Sequence, residues 1–175
     1  FQVTDWHLEL SSVASSNLMY ELIKGYILDL SPTVEEIFKK MGSSAKNPIK
    51  AAKTRGIIVR APTEYKNFIN SYYNQLVDVF FKQQLRPTHS IKDIKGQITA
   101  MKVPDKILLL EAISAGNISL ATTFFVYDNN MAFWLGSASL SKYQKLSPNE
   151  PLMFEAIKLL KEKGIRADID LKDST

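Results

Sequence analysis

Three runs decide the reading of this chain: Ile107–Ser114 (ILLLEAIS), Ile118–Tyr127 (ISLATTFFVY) and Met131–Ser139 (MAFWLGSAS). Only Ala115-Gly116-Asn117 and Asp128-Asn129-Asn130 separate them. Apolar and aromatic runs of strand length joined by short Gly, Asn and Asp connectors signal hairpins. The segment is therefore expected to be an antiparallel meander of three strands, and the rest of the chain is read outward from it.

Downstream, Ser147-Pro148-Asn149-Glu150 has the form of a helix start, with a capping Ser, a Pro at the first helical position and a Glu at the third. Leu152, Met153, Ala156, Ile157 and Leu160 form its apolar stripe, Glu155, Lys158, Lys161 and Glu162 its solvated side, and Gly164 its end. Ile165–Leu171 then reads as a strand, parallel to the third run if the helix is a crossover. Upstream, Tyr65, Phe68, Ile69, Tyr72, Tyr73, Leu76, Val79 and Phe80 recur at three- and four-residue steps. That spacing predicts a helix capped by Thr63 whose aromatic stripe is core. Arg86-Pro87-Thr88-His89 is a loop leading to a helix over Ile91–Met101. Ile57–Arg60 is a short strand stopped by Pro62.

Lys46–Thr54 reads as a short helix, interrupted or begun at Pro48 and ended by Gly56. The second half of Tyr20–Leu30 reads as a strand. A helix follows it with Ser31 as cap, Pro32 at the first position, Glu35 and Glu36 at the positive end, and Met41-Gly42 as the stop. The Ser, Ala and Asn cluster within residues 1–20 reads as a lead-in, which leaves 21–175 as a single domain.

At 175 residues and 45% apolar, the chain suits one compact core and is too hydrophobic for intrinsic disorder. It has no cysteine, which excludes disulfides, thiolate zinc sites and a cysteine nucleophile, and which fits a cytoplasmic setting. His7 and His89 are the only histidines and lie far apart in sequence, so no metal site is expected. No apolar run reaches the roughly 18 to 20 residues of a membrane helix, so no membrane span is expected. The net charge is +4, and from Ile37 to Arg60 seven cations occur in 24 residues with no acid: Lys39, Lys40, Lys46, Lys50, Lys53, Arg55 and Arg60. Such a stretch is either a solvated helix face or a surface that attracts phosphate. No helix-turn-helix or RNA-recognition signature accompanies it, and sequence-specific DNA binding is not expected.

The order strand, helix, helix, three antiparallel strands, helix, strand over residues 57–171 resembles the GNAT acyltransferase fold. More narrowly, Tyr26–Ser31, Ser43–Ala52, Gly56-Ile57, Gly116–Thr122, Trp134–Ser139, Pro148–Ile157, Gly164-Ile165 and Asp168–Leu171 are similar to the second GNAT-like half of the Fem family of peptidoglycan-bridge aminoacyltransferases. The resemblance implies an α/β (α+β) domain with a mixed, mostly antiparallel sheet flanked by helices, truncated at its C-terminal end. It also implies that a carrier-bound acyl group lies in the gap between the strands flanking the last helix, with the carrier's phosphates at that helix's N-terminus. Unpaired amides and the helix dipole favour an anion there. Ordinary CoA-using members have spaced glycines in the loop before that helix, whereas Ser141–Ser147 contains none. Acyl-CoA and aminoacyl-tRNA are both open as donor co-substrates, with no bound cofactor, and tRNA becomes a candidate partner for the basic stretch.

Transfer to an amine needs a deprotonated acceptor, a polarised donor carbonyl and a stabilised oxyanion, but no covalent nucleophile. Tyr143 could pass a proton to the leaving group, and His89 is a general base by residue type. Ser139, Lys142, Ser147 and Asn149 are candidate donor contacts, and Trp134, Lys46 and Lys50 candidate substrate contacts. The alternatives are that Lys142 is a solvated loop lysine, that Tyr143 covers the helix end, that Trp134 only packs, and that His89 is incidental. The expected activity is N-acyl transfer to an amine of a cell-wall precursor, peptide or small metabolite. A binding module that keeps the fold without catalysis is the other reading. Beginning at Phe1 rather than Met, the 175 residues are expected to be one incomplete half of something longer, with a second GNAT-like half or another copy of the chain completing the acceptor site.

Overall fold

A computed structural model describes residues 26–102 and 106–170, so the lead-in expected over residues 1–20 lies outside the described residues. Six strands form one sheet in the order β1-β6-β5-β4-β3-β2: β1 Tyr26–Asp29, β2 Ile57–Arg60, β3 Ile107–Ser114, β4 Ser119–Tyr127, β5 Met131–Ser139 and β6 Ala167–Asp170. The meander is present in antiparallel register, with Leu110 opposite Thr123 and Thr122 opposite Ala138. β5 and β6 are parallel, as a crossover through a helix requires. β1 lies antiparallel along the outer side of β6, with Leu28 opposite Asp168, so β6 is paired on both sides.

Helices α1 (Val34–Lys40), α2 (Ser43–Ala51), α3 (Tyr65–Lys82), α4 (Ile91–Lys102) and α5 (Asn149–Glu162) divide between the two faces of the sheet. The nearly unbroken apolar run of β3 follows from burial on both sides, since alternate residues feed different cores. Leu108, Leu110 and Ala112 pack with Phe125, Leu152, Ala156 and Leu160 on the α5 side. Ile107 and Leu109 pack with Phe68, Tyr72, Ile94, Ile98 and Phe124 on the α3 and α4 side. The one carboxylate within that run, Glu111, is buried and paired with Arg60 at 2.9 Å, and Arg60 also donates to Asn117 at 3.0 Å. A buried charge needs such a partner.

Helix starts differ from the sequence reading. Thr33, not Ser31, caps α1: its hydroxyl accepts from the Glu36 amide while Glu36 accepts from the Thr33 amide, a reciprocal capping box. Ser31 is instead drawn into a turn in which its amide donates to Asp29 at 2.9 Å. α2 begins at Ser43 and contains Pro48 within it rather than at its start. α3 follows Glu64, and Thr63 makes no cap. α5 begins at Asn149, because Ser147 adopts φ 50° to close a 3₁₀ helix over Ser141–Leu146 and its side chain does not cap. Glu150 is therefore the second helical residue, not the third. In the aromatic stripe of α3, Tyr65 is exposed, and the buried residue beyond Phe68, Ile69 and Tyr72 is Gln75. Its amide is satisfied by Thr122, which donates at 2.6 Å, and by Ser119, which accepts at 3.0 Å.

Candidate active site

The ladder between β4 and β5 slips by one residue at its centre. Phe124 opposes Gly136 and Phe125 opposes Trp134, which leaves Leu135 as an extra residue in β5. A bulge of this kind bends the strand and re-aims what it carries. It also coincides with the end of the parallel ladder, since β6 accompanies β5 only from Met131 to Trp134. From Leu135 to Ser139 the side of β5 away from β4 has no strand partner among the described residues. That free edge can pair with an extended ligand backbone.

Both faces of the bulge are fixed. On the α5 face the Trp134 indole donates to the Thr123 hydroxyl at 2.9 Å, and Thr123 donates onward to the Gly136 carbonyl at 3.0 Å. On the opposite face the Tyr72 hydroxyl lies over Gly136 so closely that a Cβ there would come within 2.4 Å of it. Burial, with no hydrogen bond to offset it, pushes the Tyr72 phenol up to about 12. Between pH 10 and about 12 the unfolded chain releases this proton while the folded chain keeps it, so stability is expected to fall as pH rises through that window. Urea unfolding of the wild type and Tyr72→Phe across that range checks this: the variant should lose part of the slope, and identical slopes would disprove the assignment.

The loop leaving β5 is pinned from both sides of the sheet. Asp78 of α3 accepts from the Ser141 amide at 2.7 Å and from its hydroxyl, and these bonds hold the Asp78 carboxyl below the usual carboxylate range. Lys82 donates to Gln144 at 3.1 Å, and Arg55 donates to the Leu146 carbonyl at 3.1 Å. The loop delivers the chain to α5, whose first residue, Asn149, donates to Ser139 at the end of β5 over 3.4 Å.

Two concavities flank this point. On the α3 and α4 side, about 240 Å³ is lined by Tyr72, His89, Gln97, Phe124 and the bulged Leu135. On the α5 side, about 250 Å³ lies between α2 and α5, lined by Met41, Ile49, Asn149, Glu150, Met153 and Phe154. There one Glu150 carboxylate oxygen is buried without a hydrogen-bond partner.

The structure brings Ser139, Ser147 and Asn149 together at the end of β5 and the start of α5. Lys142 is exposed, with its ammonium 4.8 Å from the Tyr143 ring centre. Tyr143 packs against the α5-side core, whereas His89 lines the concavity on the other face of the sheet. Trp134 is committed to Thr123 through its N–H. Lys46 donates to the Lys39 carbonyl at 2.7 Å, and Lys50 stands 5.9 Å from the Phe38 ring centre. The basic stretch is thus partly consumed: Arg60 pairs with Glu111, and Arg55 holds the loop before α5. Sequence reasoning did not single out Tyr72, Asp78, Thr123 or the bulge at Leu135. Of these, only the bulge had a visible signal, the glycine at 136 inside a strand pattern.

No protein-family model matches the sequence, and no curated protein matches it. Solved structures do. FemX superposes with a TM-score of 0.74 at 10% identity, over 83% of this chain and 52% of FemX. The C-terminal domain of a protein described as a lysylphosphatidylglycerol synthetase, from Agrobacterium fabrum, gives 0.61 at 12% identity, over 91% of this chain and 50% of that one. A GNAT-family acetyltransferase from Staphylococcus aureus gives 0.52 at 14% identity, over 62% and 69%. This chain spans about half the length of the first two. Among the described residues no helix is long and apolar enough to cross a membrane. The fold is GNAT-like and related to that of FemX, as the order of elements in the sequence led us to expect.

Proposed function

We propose, with a GNAT-like fold as premise, that this chain is an N-acyltransferase domain moving an acyl or aminoacyl group from a carrier, acyl-CoA or aminoacyl-tRNA, to an amine. The acceptor would be a cell-wall precursor, a peptide or a small metabolite. The observation that carries the reading is the free edge of β5 from Leu135 to Ser139, which runs from the bulge to the start of α5. An extended donor can lie along that edge, with its carbonyl oxygen held by a backbone amide of the strand. The amine's lone pair attacks the carbonyl carbon, and the strand amide stabilises the tetrahedral oxyanion. The C–S or C–O bond to the carrier then breaks as the amine gives up a proton to the base and the departing thiol or hydroxyl takes one from the acid.

His89 and Tyr143 lie on opposite faces of the sheet, which fits a base on the acceptor's side and an acid on the donor's side. The amine would approach through the concavity of Tyr72, His89 and Gln97. The carrier would meet Ser139, Lys142, Ser147 and Asn149, with Lys46 and Lys50 at the border of the same side. Trp134 would shape the donor slot through its ring face. Two features weigh toward an aminoacyl ester: the loop before α5 lacks glycine, and a Glu150 carboxylate in the first turn of the helix opposes a pyrophosphate there.

Calorimetric titration with acetyl-CoA, a longer acyl-CoA and an aminoacyl-tRNA tests the reading. Binding of one donor, weakened by Asn149→Asp, is the expected result. Heat from none of the three would leave a non-catalytic module as the better account.

A further inference from the structure

Val77 and Phe81, one turn apart near the end of α3, and Leu85, three residues beyond it, are all exposed, Phe81 to 80% and Leu85 to 58%. Val77 and Phe81 lie about 100° round the helix from Asp78 and Lys82, the pair that grips the 3₁₀ segment after β5. That grip sets two acid-free segments side by side. From Val79 to Lys92 the chain has no Asp or Glu, and neither does Leu140–Asn149. Together they present Lys82, Arg86, Lys142 and Lys145, all exposed, and the nearest acid, Asp78, is engaged by Ser141.

We propose that this end of α3, with the 3₁₀ segment beside it, is a docking surface for an anionic lipid bilayer. The chemistry has two parts that such a surface satisfies together. Protruding apolar side chains enter the boundary between headgroups and acyl chains, and the surrounding cations meet the negative surface potential. A phosphate-bearing RNA would use the cations but has no use for Val77 and Leu85. The inference does not rest on the acyltransferase reading, because it requires no donor and no turnover.

Co-sedimentation of the whole chain with vesicles of phosphatidylserine and phosphatidylcholine, against pure phosphatidylcholine, is the test. Binding is expected only to the mixed vesicles, and it should weaken in high salt. Phe81→Glu with Leu85→Glu should lower partitioning at least about tenfold while the thermal melt stays unchanged, since neither side chain is buried. Arg86→Gln and Lys145→Gln should each lower it about fivefold. Failure of the wild type to sediment with the mixed vesicles would overturn the proposal. So would a Phe81 and Leu85 double variant that binds as the wild type does, or uncharged tRNA that binds the protein in place of vesicles. A dimer in solution that the double variant dissolves, without vesicle binding, would assign the surface to a second copy and overturn it equally.

Discussion

Gly136→Ala should destabilise the domain by about 1–3 kcal/mol, the usual cost of forcing extra volume into a packed site. The reason lies in three atoms. A Cβ at position 136 would meet the Tyr72 hydroxyl oxygen at 2.4 Å, Phe124 Cε1 at 3.0 Å and Tyr72 Cζ at 3.3 Å. The first is a collision, and the others require only small shifts. Tyr72 cannot easily withdraw, since its ring packs edge-on to Phe124 at 5.2 Å and alongside Phe68 at 6.3 Å. Removing the hydroxyl should therefore recover more than half of the loss, so Gly136→Ala combined with Tyr72→Phe should be more stable than Gly136→Ala alone. Chemical unfolding of the four members of this cycle measures the coupling. Simple additivity would mean that the close approach is not what fixes the bulge. Because Leu135 and Gly136 head the free edge of β5, the single variant should also lose donor binding, and the double variant should regain part of it.

Much of this architecture was legible because it obeys local periodicity. Ile107–Leu110 alternates between the two cores residue by residue, and the connectors Ala115-Gly116-Asn117 and Asp128-Asn129-Asn130 are hairpin turns in kind and length. Helix starts were less legible, since the sequence offers competing caps: Ser31 and Thr33 before α1, Ser147 and Pro148 before α5. Long-range contacts choose among them. Arg55 reaches the Leu146 carbonyl from α2's far end, Ser147 takes a left-handed turn, and the capping Ser expected there is used up in closing the 3₁₀ segment. The site was partly legible for a similar reason. Ser139, Ser147 and Asn149 are neighbours along the chain and stay so in space. Tyr72 reaches Gly136 of β5 and Asp78 reaches the segment after it from the sheet's other face, and nothing within α3 distinguishes Tyr72 from the packing aromatics around it. Gln75 was invisible as a buried residue because its partners, Ser119 and Thr122, lie more than forty residues away.

Asp78→Ala should leave the fold nearly intact and yet lower kcat/KM for acyl transfer by about a hundredfold, the scale on which a misplacement near 1 Å acts. Asp78 is half-buried and belongs to neither hydrophobic core, so little packing is lost. What it does is hold the first residue of the 3₁₀ segment, through the Ser141 amide and hydroxyl, while Arg55 holds the last residue of the same segment from the opposite side. With one anchor gone the segment pivots about the other, and Lys142, Tyr143 and the start of α5 shift together. Hydrogen exchange at the Ser141–Ser147 amides should accelerate at least tenfold, with exchange in β3 and β4 unchanged. Asp78→Asn keeps one acceptor oxygen and should fall between the two. The sign of the pH dependence follows from the depressed Asp78 carboxyl, caused first by the Ser141 hydroxyl, next by the Ser141 amide, and less by Lys82 and Lys142. A lowered folded value means that the anchor is complete above the ordinary carboxylate value of 3.8 and is lost as pH falls through the lower, folded one. The wild-type loop should therefore stay protected from exchange at pH 4 to 5, conditions under which an unanchored carboxylate would begin to protonate. Equal exchange rates in the wild type and Asp78→Ala would refute the role given to this anchor, whatever the donor proves to be.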